Sequence, residues 1–152
     1  MSEPLKFSDQ QIVEMMRQRK PPFLGVLGGE LVEANQESSS ATLTFLATSE
    51  FCHSGNVVQG GFLTGMLDAA MSHAAIIGSG MTKTPPTLEL KISFMAPGNP
   101  GAMKARGWVV RMGKSIAFLE GQLFDATDQL IATASSTARM VPMDFRAAQP
   151  KA

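Results

Sequence analysis

A long apolar helix studded with small residues limits what this chain can fold into more than any other feature. From Phe62 onward, apolar side chains fall at Phe62, Leu63, Met66, Leu67, Ala70, Met71 and Ala74, a helical period with a wide apolar face. Ala69, Ala70, Ala74 and Ala75 keep that helix slim, so other elements can pack closely around it. One acid, Asp68, interrupts the run, and a carboxylate there is costly unless it is paired, hydrogen-bonded or neutralised. The stretch leading in, from His53 to Gly61, is polar and glycine-rich. Gly60-Gly61 lets the backbone approach something closely, and the first-turn N–H groups have no intrahelical partners. Such donors can receive negative charge.

The flanking sequence supplies what such a helix needs, a sheet to wrap it. Residues 1–20 read as a helix, with Ser8 as N-cap, Gln11 completing a capping box and Pro21-Pro22 as the stop. A short apolar run, Phe23 to Leu27, ends at Gly28-Gly29. Leu31 to Asn35 and Ala41 to Ala47 read as strands, the second alternating Leu43, Phe45 and Ala47 against Thr42, Thr44 and Leu46. A loop over Ser49 to Val58 precedes the long helix, which Gly78 and Gly80 terminate. Four strands follow, Thr87 to Met95, Ala102 to Met112, Ser115 to Phe124 and Leu130 to Val141, expected as a meander with Pro97–Gly101 as a strong turn. The fold class expected is α+β: a curved antiparallel sheet of about five to six strands around a central helix, with an extra N-terminal helix. An N-terminal arm over 1–21, a main domain over 22–142 and a loose tail over 143–152 complete the expected division. Free sheet edges are surfaces that a twofold partner can extend.

Composition narrows the function classes. Thirteen basic and thirteen acidic residues cancel, which leaves no electrostatic footprint for nucleic acid or an anionic membrane. A charged fraction of 17% with many Met and Ala residues is compatible with a subunit that buries surface in an oligomer. The single cysteine, Cys52, rules out an internal disulfide and suggests a reducing compartment. The first twenty residues mix acids, bases and polar groups, unlike a secretory leader, and a cytoplasmic protein is expected. Residues 61–80 have roughly membrane-spanning length, but Asp68 and His73 lie inside them, so no membrane helix is expected.

Each polar residue near the helix has two readings. Asp68 is either a helix acid facing solvent or a basic partner, or a general base or nucleophile tuned by an apolar site. Its flanks, Met66-Leu67 and Ala69-Ala70, leave no polar face and favour the second. Ser72, one turn on, either orients a water beside Asp68 or bonds back to the Asp68 carbonyl. Gly60 either serves a turn or uses its N–H to polarise a carbonyl. His53 and Gln59 are polar loop residues; His53 is an acid, base or donor near a carboxylate, or an ordinary surface histidine. His73 reads as structural. Two histidines without a Cys or acid cluster at ligand spacing make no metal site. Phosphate-loop, dinucleotide and G-x-S-x-G patterns are absent.

These residues, in this order, resemble the hotdog-fold thioesterases and, within them, the phenylacetate-pathway (PaaI-like) acyl-CoA thioesterases. That family has a His-Gly-Gly lead-in to its central helix and an acid nine residues after the His; here the run is Gln59-Gly60-Gly61 with Asp68. Thr87 to Pro97 is similar to its first strand after the helix, and Arg111 to Glu120, with Gly113-Lys114-Ser115, to its next hairpin. The similarity spans about residues 22–141. It implies a hotdog fold and hydrolysis of an acyl-CoA thioester, with Asp68 as base or nucleophile and the Gly60 N–H holding the thioester oxygen. His53 stands where the family has an amide, and Ser72 and Thr87 match hydroxyl positions beside the site. It also implies a homodimer, or a dimer-of-dimers tetramer, with Asp68 of one chain facing His53 and Gly60 of the other. No cofactor is expected, since CoA is part of the substrate.

Two departures bear on activity. Gln59 replaces the usual His and cannot carry a proton charge; His53 replaces the usual amide. A hotdog hydratase or dehydratase using His53 and Asp68, and a non-catalytic acyl-CoA-binding domain, are the competing readings. The dehydratase pattern has a proline-rich loop and an acid one residue closer to the His, neither of which is present. Loss of turnover in Asp68→Ala with CoA binding kept separates enzyme from binder. Phe62, Met66, Met71 and Met95 are either an acyl pocket or plain core.

Overall fold

The computed structural model describes residues 6–145 of the 152. Helix α1, Asp9–Gln18, starts where the capping box places it: the Ser8 hydroxyl accepts from the Gln11 N–H, and the Gln11 side chain accepts from the Ser8 N–H. Residues 1–5 of the expected first helix lie outside the described residues. The apolar run after Pro21 is a single-turn helix, α2 (Pro22–Val26), with proline in the first-turn position that tolerates it.

Strands β1 (Glu30–Asn35) and β2 (Ser40–Ala47) form an antiparallel hairpin. Leu43, Phe45 and Ala47 point inward as the alternation requires. The expected loop over 49–58 is more ordered than its composition suggests. A 3₁₀ turn, Ser49–Phe51, leads into a small ribbon of β3 (Cys52–Ser54) against β4 (Val57–Val58). Helix α3, Gly60–Gly78, then runs through the middle of the molecule with Met66, Leu67, Ala70, Met71, Ala74 and Ala75 fully buried.

Past α3, Gly80 and Met81 take left-handed backbone and turn the chain into β5 (Lys83–Thr84) and β6 (Thr87–Phe94). Strands β7 (Gly101–Met112), β8 (Ile116–Asp125) and β9 (Leu130–Arg139) follow, and β10 (Val141–Pro142) pairs with β5. The main sheet has six antiparallel strands in the order β1-β2-β7-β8-β9-β6.

The four-strand meander is therefore corrected: β7, β8 and β9 form one, but β6 pairs with β9 rather than β7. Both edges of β7 are occupied, by β2 along Ser40–Ala47 and by β8, so β6 finds its only partner at the far edge. The segment expected as a strong turn, Pro97–Gly101, does not join neighbouring strands but crosses past the start of α3 on its way into β7. There the Gly98 carbonyl accepts from the Val58 N–H at 2.8 Å, and Gly98 lies against Leu63 and Met103.

The sheet touches the helix most closely where two glycines face each other across β7 and β8, Gly107 opposite Gly121. A Cβ on Gly107 would lie 2.5 Å from the backbone of Ala70 and Met71. The slim alanine helix thus meets a sheet that has also been pared down. Of the expected tail, Met143 and Phe145 donate backbone hydrogen bonds to Thr82 and Met81, and residues 146–152 lie outside the described residues. Among the described residues, no helix is long and apolar enough to cross a membrane.

Candidate active site

Asp68 projects from the middle of α3 towards the start of β6. Pro85-Pro86 hold the chain extended there and set Thr87 beside the helix. The Thr87 hydroxyl donates to Asp68 Oδ1 at 2.9 Å. No Lys or Arg of the described residues lies within ion-pairing distance of the carboxylate. Burial pushes the Asp68 carboxyl above the ordinary carboxylate range, and the Thr87 hydrogen bond opposes that rise. Thr87→Val removes the one donor that favours the ionised form, so Asp68 is expected to titrate higher still. Carboxyl-carbon chemical shifts followed against pH read this directly, and an unmoved midpoint would show that the hydroxyl does not act on the carboxylate.

Ser72 lies one turn on and lines the same cavity as Asp68 and Thr87. Among the described residues it makes no hydrogen bond with the Asp68 side chain and none back to its carbonyl, which leaves the hydroxyl available to the cavity. His73 is buried, and its Nδ1 bonds to the Ala69 carbonyl at 2.7 Å. Burial holds its pKa below the usual histidine value, so at neutral pH the ring is uncharged and donates to that carbonyl.

The cavity has a volume of about 450 Å³, within the range of small-ligand pockets. Its walls come from α1, α2, α3, the Thr84–Thr87 segment and residues 143 and 145, and are chiefly apolar: Met15, Met16, Ile76, Met81 and Phe145. Phe62, Met66, Met71 and Met95, read from the sequence as either an acyl pocket or plain core, are not among them. Met66 and Met71 are core, Phe62 stacks on Phe51 with ring centroids 4.3 Å apart, and Met95, just past the end of β6, is exposed. The sequence reading also missed Arg19, which lines the cavity from the end of α1. The signal was available: Met15, Met16 and Arg19 fall at helical spacing on one face.

His53, Gln59 and Gly60 lie in the segment that leads into and starts α3. Eight residues separate Gly60 from Asp68, about 12 Å along the helix axis. Gln59 caps α3, its side-chain oxygen accepting from the Gly61 N–H at 2.6 Å. The Gly60 N–H has no acceptor among the described residues, and the Phe94 ring packs against its Cα, 3.0 Å from where a Cβ would stand. His53 is exposed, its Nδ1 2.8 Å from the Ser54 hydroxyl. One chain therefore brings Asp68, Ser72 and Thr87 together, and holds His53, Gln59 and Gly60 apart from them. Among the described residues no group of three or more His, Cys, Asp or Glu side chains converges as a metal site would require.

The family model described as the thioesterase superfamily matches residues 55–132, which take in Gln59, Gly60, α3 and strands β6, β7 and β8. A candidate esterase of Saccharolobus solfataricus is 31% identical over 101 residues, covering 66% of this chain and 71% of that protein. Among solved structures, a candidate thioesterase of Ralstonia eutropha, described as related to phenylacetic acid degradation, is 29% identical with a TM-score of 0.77, covering 84% of this chain and 98% of that one. The PaaI protein of the E. coli phenylacetic acid degradation operon has the same TM-score at 17% identity, covering 88% and 93%, and shows the shared fold.

Proposed function

The chain belongs to the thioesterase superfamily, and from that premise we propose that it hydrolyses an acyl-CoA thioester to the free acid and CoA with Asp68 as general base. Water attacks the thioester carbonyl carbon while Asp68 takes its proton. The C–S bond then breaks, and the departing thiolate takes the proton back from Asp68. A carboxyl raised above its ordinary range is a stronger proton acceptor once ionised, which suits a base working near neutrality. Thr87 tethers one carboxylate oxygen and leaves the other for the water; Ser72 is placed to orient that water. The Gly60 N–H stabilises the developing oxyanion, a contribution of about 3 kcal/mol for one such donor. In this reading His53, an exposed side chain on β3, donates to the same thioester, and Gln59 holds the Gly60 end of the helix in shape.

The observation that carries this reading is the arrangement along edge strand β6. Thr87 at its start bonds Asp68, and Phe94 at its end packs on Gly60. Among the described residues the strand pairs only with β9, and Leu88, Phe94 and the following Met95 are exposed. A twofold axis across the middle of β6 exchanges its ends, so the Gly60 of a partner arrives at Asp68. Two copies complete what one chain holds 12 Å apart along its helix, by a rise of about 1.5 Å per residue.

Complementation tests the reading. Gly60→Pro removes the N–H at the first helical position, which suits proline, and Gln59 is already extended as a residue before proline must be; the added Cβ meets the Phe94 ring at 3.0 Å, and that exposed side chain can turn aside. Gly60→Pro and Asp68→Asn are each expected to be inactive for thiol release from acyl-CoA. Mixed dimers carry one intact site, so a co-refolded equimolar mixture is expected to regain about a quarter of wild-type turnover. No recovery from demonstrably mixed dimers would overturn the shared site.

A further inference from the structure

Arg19 is the one feature of the cavity that the hydrolysis of a simple acyl group leaves unexplained. It caps the C-terminal end of α1 and lines the cavity beside Met15 and Met16. Its Nη1 is shielded from solvent and has no hydrogen-bond partner among the described residues. No carboxylate of the described residues pairs with the guanidinium; Asp68, in the same cavity, bonds to Thr87 instead. His73 contributes no charge, since burial keeps its ring neutral. The helix C-terminus favours a nearby cation, but it does not satisfy the guanidinium's in-plane donors. A shielded N–H without an acceptor is costly, and more so on a charged group. The cavity therefore presents apolar walls, a carboxylate at one place and an unpaired planar cation at another.

We infer that this cavity selects thioesters whose acyl group has an apolar body and ends in a carboxylate, with Arg19 as the residue that binds that carboxylate. The inference rests on the thioesterase reading for the fate of the bound molecule, but not for the binding itself. Methionine, isoleucine and phenylalanine side chains accept the methylene body, whereas the polar nucleotide of CoA finds no match there. A terminal carboxylate meets the guanidinium fork with two parallel hydrogen bonds. An unsubstituted acyl chain of the same length leaves the fork unpaired and is discriminated against for that reason.

The test compares a six-carbon ω-carboxyacyl-CoA with unsubstituted six-carbon acyl-CoA. Wild type is expected to favour the carboxylated substrate in kcat/KM by about 10-fold or more, the range of a charge-assisted hydrogen bond. Arg19→Gln is expected to bring the ratio close to one, and Arg19→Lys, which keeps the charge but not the fork, to leave it in between. Wild type favouring the plain chain, or a ratio that Arg19→Gln leaves within twofold of wild type, overturns the inference; Arg19→Lys carries the comparison if Arg19→Gln does not fold. Calorimetric titration with hydrolysis-inert thioethers of the same two acyl-CoAs keeps the two readings separate. Tighter, Arg19-dependent binding of the carboxylated thioether without turnover of either thioester upholds the inference and overturns hydrolysis. Turnover without an Arg19-dependent preference does the reverse, and neither result overturns both.

Discussion

Asp68→Asn is expected to lower kcat/KM for thioester hydrolysis by about 10²- to 10⁴-fold, the contribution of a positioned general base, while making the folded protein more resistant to heat at neutral pH. The substitution keeps size and shape, and the Thr87 hydroxyl can donate to the amide oxygen as it does to Asp68 Oδ1. What disappears is the proton acceptor. The stability gain follows from the direction of the Asp68 shift: burial raises its folded-state pKa above the unfolded value. Below the unfolded pKa both states hold the proton, and the carboxyl costs the fold nothing. As pH rises from there to the folded pKa, the unfolded state ionises first and stability falls. Above the folded pKa the cost is constant. The Tm advantage of Asp68→Asn over wild type should therefore vanish in strong acid, grow as pH rises from the unfolded towards the folded pKa and level off above the latter. Wild-type activity should fall on its acid side at a pH above the ordinary Asp value. A variant that keeps a tenth of wild-type activity would place the base elsewhere, and one that melts below wild type at neutral pH would make the carboxylate structural.

Gly107→Ala is expected to be the most damaging single methyl on the sheet, lowering stability by about 3 kcal/mol, at the upper end of typical overpacking. At roughly 2–4 °C per kcal/mol for a chain of this size, Tm falls by about 6–12 °C. The new Cβ would stand 2.5 Å from the main chain of Ala70 and Met71, and backbone in the middle of a buried helix cannot turn aside as a side chain can. Gly121→Ala, on the neighbouring strand, meets the Met71 side chain at 3.2 Å and the Leu67 side chain and Arg106 carbonyl at 3.3 Å, and should cost less, because these contacts are longer and two of them are side chains that can shift. Gly25→Ala in α2 meets nothing within 4 Å and should be neutral or slightly stabilising. Thermal melts of the three variants give the order. If Gly107→Ala melted with Gly25→Ala, the helix would not be seated on the sheet as closely as described.

Much of this architecture was legible because it is local. The Ser8–Gln11 capping box fixed the start of α1, alternation in Leu43, Phe45 and Ala47 fixed the inner face of β2, and the period from Phe62 to Ala74 fixed α3 as the buried helix. Asp68 stood out for the same reason: a charge in that period has no local neighbour to neutralise it. The family resemblance, carried by the spacing of Gln59-Gly60-Gly61 and Asp68, pointed to the fold that the structure has.

What the sequence determined by itself is which residues form helices and strands and which face of each is apolar, because those properties repeat within a few residues of chain. The tertiary structure alone decided where the elements go. β6 lies against β9 because β7 had no free edge, and that placement brings Thr87 to Asp68 and Phe94 to Gly60. It likewise decided that α1, Met143 and Phe145 close a cavity over Asp68, with Arg19 lining it and Met66 and Met71 left to the core. Hydrophobic burial is non-directional, so an apolar face specifies that it will be covered but not by what. The covering segment is chosen by competition among distant parts of the chain, and no window of sequence contains that contest.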